Sequence, residues 1–391
     1  MTIKQFVIRF VSLSFLLLIL IGLFNRIVDP FWYYRDSEIT GFNAIKPAYG
    51  NYERQIKPIL LMRDQPESVI LGSSYAEIGF DPNNNFFTDD GRLKGMNLAL
   101  ARAYDDEVQC NFEFAVAHSH IKRALIGFHL TGMAKTDCKK FAKLGQINKM
   151  ELLLSLSSLR DSIKTITHQK NDKSTHTQDG RFFFARDKPG VNTRFGEDFE
   201  RYKKQHTHCV KSSTMPFNYV SANTVDLSGL RNMIRIAKEH DIELVFFVYP
   251  RHAYSLELDN QCGDQDTYWR AMNQIANLIE TETKPNKVRA WQFYSYNELT
   301  TESIGTTAKY WQDSRHFNFE MGNVMLEDIF GESPTGPKLG RPITTEGIQT
   351  DFRSFLEGRD NYLQNHPEFQ SELQKLQDIC SKPGSKCNLG S

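Results

Sequence analysis

Short apolar runs bounded by turn residues recur through the middle of the chain, at residues 68–71, 95–98, 123–128, 243–249 and 288–293. Each is short enough for a strand, and the near-continuous hydrophobicity suits strands covered on both faces. Helical patterns fill the gaps between them. The segment 104–120 opens with Asp105, Asp106 and Glu107, where a helix N-terminus favours negative charge. In the segment 226–240, Leu227, Leu230, Ile234 and Ala237 share one helical face, and Asp226 stands at a capping position. Trp269, Met272, Ile275, Ala276 and Ile279 repeat the helical spacing further on. Strands alternating with helical connections predict an α/β fold, three-layer α/β/α, with a mainly parallel sheet. Ligands of such sheets collect at the carboxyl ends of the strands.

Two stretches break the alternation. Residues 143–224 hold one apolar helix candidate, MELLLSLSSL, then a polar passage, HQKNDKSTHTQDG, that is too long for a plain connection. This reads as an insertion near the carboxyl edge, a candidate lid or substrate-binding surface. Beyond Gly331, ESPTGPKLGRPITTEG reads as a linker, so residues 332–391 are expected to form a linker and a polar, helical tail outside a catalytic domain spanning 28–331.

The N-terminus follows a different pattern. Residues 10–24 carry no charge, and with Phe6, Val7 and Ile8 ahead of Arg9 the apolar stretch reaches the ~20 residues needed to cross a bilayer. Lys4 and Arg9 precede it, so the positive-inside rule keeps the N-terminus in the cytoplasm and sends the remainder across. The following GLFNRIVDPFW has bulky residues where a signal peptide needs a small-residue cleavage site. Residues 1–27 are therefore expected to be a cytoplasmic stub and an uncleaved transmembrane anchor.

Composition narrows the partners. With Lys+Arg and Asp+Glu equal at 47 each, the chain lacks the phosphate-neutralising excess of a nucleic-acid-binding protein. Six cysteines, Cys110, Cys138, Cys209, Cys262, Cys380 and Cys387, fit an oxidising compartment, and a local Cys380–Cys387 bridge across SKPGSK is one candidate pairing. No CxxC pair points to zinc, and no cofactor or metal is expected.

Candidate chemistry begins where the first strand runs into a glycine and two serines, VILGSSYAEIGFDP. A serine hydroxyl becomes an effective nucleophile when a base takes its proton, and the base works better when a carboxylate fixes its tautomer. Among 11 histidines, His316 in YWQDSRHFNFEMGNVMLEDIFG stands out, three residues after Asp313 and beyond the last apolar run. A single loop would then deliver base and carboxylate to a serine at the end of the first strand.

These features resemble the SGNH (GDSL-type) hydrolase superfamily: ILGSSYAEIGFDP, MNLAL after the second strand, and the late DSRHFN. With DPFW and GFNAIKP ahead of them, they look most like membrane-anchored bacterial relatives of the D-alanine transfer and alginate O-acetylation proteins. The resemblance covers about residues 28–331, without the insertion or the tail. It implies Ser74 as nucleophile, His316 as general base and Asp313 as its orienting acid. It also implies a serine acyltransferase or esterase in the periplasm, held in a bacterial inner membrane by a single pass. Such a protein moves an acyl group from a donor to a polysaccharide acceptor and works beside a membrane-bound O-acyltransferase. The family's oxyanion positions fall on Ala101–Arg102 and on His129, with Ser73 where the family has aspartate. A catalytically weak, glycan-binding or scaffolding domain is the alternative, because the glycine and asparagine of those oxyanion positions are replaced.

The remaining candidates read as structural. His206 and His208 beside Cys209 suit a solvated loop, His118 and His120 the end of a helix, and His252 a turn at the carboxyl edge. Arg54 and Lys57 in YERQIKP resemble a recurrent feature of the anchored relatives and equally suit an exposed helix face, and Glu77 is either structural or a contact for a hydroxylated acceptor.

Overall fold

The computed structural model describes residues 2–130, 135–144, 149–170, 175–183, 196, 225–260, 265–282, 287–313, 315–332, 338–367, 370, 371 and 374. Along the chain run α1 (Ile3–Val28), α2 (Glu53–Asp64), β1 (Ser68–Leu71), α3 (Ser74–Gly79), α4 (Asn85–Thr88), β2 (Gly95–Asn97), α5 (Asp105–His118) and β3 (Arg123–Phe128). After β3 comes α6 (Lys139–Leu144), which starts ahead of the expected insertion, and that region contributes α7 (Lys149–Leu154), α8 (Leu156–Thr167), β4 (Thr175–His176) and β5 (Phe182–Phe183). Then follow α9 (Ser228–Glu239), β6 (Glu243–Val248), α10 (Ala253–Asn260), α11 (Gln265–Glu282), β7 (Val288–Gln292), α12 (Phe319–Phe330), β8 (Arg341–Pro342) and α13 (Ile348–Asn365).

Six strands form one sheet in the order β2-β1-β3-β6-β7-β8. The first five are parallel, with Ser68 opposite both Gly95 and Arg123, and Arg123 opposite Glu243. Alternate side chains of these strands divide the core in two, as the period of 2 requires. Val69, Leu71, Ala124, Ile126, Leu244 and Phe246 pack with Ile56 of α2, Phe112 of α5, Met233 of α9 and Met272 of α11. Ile70, Leu125, Val245 and Phe247 face the other way, against Tyr75 of α3 and Met321 and Met325 of α12. Helices thus cover both faces, which explains why the strands read as unbroken apolar runs. The order of the five parallel strands reverses between β1 and β3, and a crevice opens at such a switch point above the carboxyl ends.

Beyond Gly331 the chain returns to the sheet, contrary to the expected linker and tail. β8 pairs antiparallel with β7, Gln292 opposite Arg341, and Phe355 of α13 is buried beside Trp269 and Tyr294. A two-residue strand leaves no periodicity to read, and α13 buries only one side.

Helix α1 is long and apolar enough to cross a membrane, and its apolar window is uncovered by the rest of the chain. Its last turn is built into the body. The Asp29 carboxylate accepts the N–H groups of Tyr33, Tyr34 and Arg35, and Lys46 Nζ donates to the Val28 carbonyl at 2.9 Å. The insertion's helices dock on α1: Asn25, which is buried, donates to the Leu153 carbonyl at 2.7 Å and accepts from Ser162 Oγ at 2.8 Å. A disulfide joins Cys110 of α5 to Cys138, just before α6. Cys209, Cys262, Cys380 and Cys387 lie outside the described residues, as do His206 and His208.

Candidate active site

The strand β1 delivers the chain to Gly72, whose φ of +148° is a conformation that residues with a Cβ rarely adopt. A Cβ there would also press on the Tyr249 hydroxyl and lie 2.9 Å from Ala76 Cβ. Only glycine lets the strand turn this sharply into a helix. Ser73 becomes the N-cap of α3 and Ser74 its first residue, at the carboxyl end of the sheet. Ser73 is 4% exposed, whereas Ser74 is more open to solvent, so the second serine is the one a substrate can reach.

His316 is brought over this point by two local devices. Trp311 and Phe317 form an antiparallel bridge, and the Gln312 N–H donates to the His316 carbonyl at 2.8 Å, which closes residues 311–317 into a tight loop. Asn318 then caps α12, accepting from the N–H groups of Glu320 and Met321. Second, α12 lies against α3 through glycines. A Cβ on Gly322 would run into the Gly79 carbonyl, and a Cβ on Gly79 into the Phe317 ring. This close approach sets the loop above the start of α3 and Ser74.

The result is a continuous relay. Ser74 Oγ lies 2.9 Å from His316 Nε2, and His316 Nδ1 lies 2.9 Å from both oxygens of Asp313. Asp313 Oδ1 also accepts the backbone N–H groups of Arg315 and His316, each at 2.9 Å. Burial acts to raise the Asp313 carboxyl, but the His316 charge and these hydrogen bonds outweigh it and hold the group well below the usual carboxylate range. An ionised Asp313 keeps the imidazole proton on Nδ1, assigned here from the hydrogen-bond network. The Nε2 lone pair is then free for the serine proton.

The other site residues assemble around this relay with different commitments. His129 follows β3, and its Nε2 lies 3.0 Å from Ser73 Oγ. Burial, then the charges of Arg251 and His316, push its imidazole down to about 3, so it is neutral at ordinary pH. The Ser73 N–H donates to the Tyr249 hydroxyl at 3.0 Å. Tyr75 stands between these groups, its ring 4.8 Å from that of His316, 5.3 Å from His129 and 4.9 Å from Tyr249. The Ala101 N–H, however, is taken. It donates to Glu53 Oε1 at 2.9 Å, and the Ala101 carbonyl accepts from Arg54 at 2.9 Å. Arg102 is exposed, at a φ of +57°.

Comparison of the chain with family models, curated proteins and solved structures finds no match.

Beneath the loop after β2 lies a buried charged cluster that the sequence did not reveal. Lys57 is wholly buried rather than on an exposed face. Its ammonium donates to Glu77 Oε1 at 2.8 Å and to the Ala99 carbonyl. Glu77 also meets His176 Nε2 at 3.2 Å, and Glu53 lies 3.9 Å from the same nitrogen. Burial, then the Glu77 charge, push Glu53 up to about 7, while burial and Lys57 push His176 down to about 3. Glu53, Glu77 and His176 offer ligand atoms within 4.8 Å of one another, and the Lys57 ammonium already supplies a cation among them. Glu77 therefore faces inward and not towards an acceptor. The only sequence signal was four charged residues, Glu53, Arg54, Lys57 and Glu77, close to the GSS turn.

His252 is structural in the manner expected of a turn histidine. It is 1% exposed, accepts the Tyr254 N–H at Nδ1 and donates from Nε2 to the Glu302 carbonyl at 2.7 Å. Arg54 is likewise paired, with both oxygens of Glu107 at 2.7 and 2.8 Å.

Proposed function

We propose that this chain is a serine acyltransferase or esterase with an SGNH-like domain, working through an acyl-enzyme on Ser74. It would be anchored by α1 in a bacterial inner membrane, with the domain in the periplasm, and would O-acetylate a cell-surface polysaccharide. The observation that carries the reading is the unbroken Ser74–His316–Asp313 relay at the carboxyl ends of the strands.

In this reading Ser74 Oγ attacks the acyl carbonyl while its proton passes to His316 Nε2, and the imidazolium is stabilised by Asp313. The oxyanion is met by the Ser74 N–H, which lies in the first turn of α3 and has no intrahelical acceptor. His129 and Ser73 border the same space. Collapse of the tetrahedral intermediate breaks the bond to the leaving group, which takes the proton back from His316. In the second half a water or a sugar hydroxyl attacks the acyl-serine, with its proton going to His316 and the Ser74 hydroxyl restored. A membrane-bound O-acyltransferase would supply the acyl group.

One observation favours a second reading. Glu53 occupies the Ala101 N–H, and a missing oxyanion donor costs about 3–4 kcal/mol. A domain so handicapped would instead bind glycan or scaffold the acyltransferase.

The test is the detergent-solubilised full-length protein with p-nitrophenyl acetate. An acetyl adduct on Ser74 by peptide mass, with turnover lost by several orders of magnitude in Ser74→Ala and reduced more mildly in Ser73→Ala, is expected. No adduct and no turnover would leave the binding reading. Equal loss in both variants would mean that the wrong serine is named.

A further inference from the structure

Helix α8 is inside out for a water-facing helix. Its small polar residues Ser158, Asp161, Ser162 and Thr165 recur at i, i+3, i+4 and i+7 and are all buried. Its apolar residues Leu156 and Ile163 turn outward, 76% and 50% exposed, beside the exposed Ser157, Arg160 and Thr167, while Leu159 and Ile166 are half-buried at the border of that face. An amphipathic helix on a soluble domain buries the apolar stripe. Here the polar stripe packs inward, and Ser162 bonds Asn25 of α1.

The position of this face identifies what covers it. Helices α7 and α8 meet α1 at Gly22 and Asn25: a Cβ on Gly22 would lie 3.2 Å from Leu154, and Asn25 bonds Leu153 and Ser162. Gly22 and Asn25 stand at the end of the charge-free stretch that begins at Phe10, just ahead of Arg26. Leu20, Leu23 and Ile27 of α1 and Met150, Leu156 and Ile163 of the docked helices are all exposed, and the docking point falls near the end of the apolar span. Arg160, whose side chain is 76% exposed, lies between Leu156 and Ile163 on the same face. A long cationic side chain there can keep its head among lipid phosphates while its stem lies over apolar surface.

From this we infer that α8 lies flat in the headgroup and upper acyl region of the leaflet into which α1 ends. Its outward Leu156 and Ile163, with Leu159 and Ile166 at their border, are embedded in lipid, and α1 and α8 together fix the domain's orientation on the membrane. The inference concerns lipid contact and stands apart from the chemistry of Ser74. It also replaces the expectation of a lid for this part of the insertion.

The experiment uses the full-length protein reconstituted in phosphatidylcholine–phosphatidylglycerol vesicles. Leu156→Trp and Ile163→Trp are compared with wild type and with Lys238→Trp on α9, using phosphatidylcholine brominated along its acyl chains as quencher. Circular dichroism and melting in detergent confirm that each variant is folded. Emission from positions 156 and 163, after subtraction of wild type, should be blue-shifted and quenched by the brominated lipid, while position 238 should be neither. Water-like, unquenched emission at both positions would overturn the inference. So would shielding that appears only in native membranes and never in lipid vesicles, because the cover would then be another protein.

Discussion

Replacing Asp313 with asparagine tests the relay with the least change of shape. In the native site Asp313 Oδ1 accepts two backbone N–H groups, and both oxygens face His316 Nδ1 at 2.9 Å. An asparagine in Asp313→Asn keeps its carbonyl on the two N–H groups, since only that atom can accept from them. Its NH2 is then aimed at His316 Nδ1, which must present a lone pair, so the ring proton moves to Nε2. That nitrogen faces Ser74 Oγ at 2.9 Å and can no longer take the serine proton. The same exchange in a known serine triad lowers kcat about 10⁴-fold, and four decades correspond to about 5.4 kcal/mol of lost transition-state stabilisation. The measurement is the acylation burst with p-nitrophenyl acetate at neutral pH, alongside thermal melting to show that the loop remains folded. A folded Asp313→Asn protein acylating within about tenfold of wild type would refute the tautomer argument.

Two further outcomes follow from groups outside the relay. His129, His176 and His252 are buried and neutral, pushed down to about 3, about 3 and about 4, whereas the unfolded chain protonates each below about 6.5. Acidification from pH 6.5 to 4.5 therefore favours unfolding through three groups. Glu53, raised to about 7, opposes them, because the folded state holds its proton where the unfolded state does not. The net difference is about two protons, so stability should fall by up to roughly 2–3 kcal/mol per pH unit across that window, read as urea midpoints. A flat or rising midpoint would contradict the sign. Separately, the Cys110–Cys138 bridge closes a 28-residue separation, and its removal in the Cys110→Ala, Cys138→Ala double variant should cost about 3–4 kcal/mol. Matching urea curves for oxidised wild type and the double variant would show that the bridge does not constrain the unfolded chain.

The sheet was legible because strands buried on both faces cannot hide: β1, β3 and β6 are continuous apolar runs, and the structure differs from the reading by a residue at the ends of β2, β6 and β7. Asp313 and His316 were legible because three residues of spacing let a single loop serve both. The tail's helix was legible, but β8 and the packing of α13 on the body were not, since two residues and a half-polar helix resemble a tail until β7 offers an edge to pair with. The burial of Lys57 was not legible for a different reason. A lysine in a helix with glutamate four residues earlier has the pattern of a solvated face, and only the arrival of Glu77 and the Ala99 carbonyl from distant segments makes burial tolerable. The apolar helix candidate MELLLSLSSL divides at Ser155, which caps α8, because a serine that can accept a backbone N–H starts a new helix where an apolar count sees only one.

The union of α1 with the body also bears on how a water-soluble version of this protein should be cut. The Val28 carbonyl receives Lys46, Asn43 reaches both Ile27 and Val28, and Asn25 joins Leu153 of α7 to Ser162 of α8. Trimming at residue 28 would remove Asn25 and the Ile27 carbonyl together and orphan polar groups in a dry interior. A recombinant boundary a turn upstream of Asn25, with the outward leucines exchanged for hydrophilic residues, would keep that joint intact.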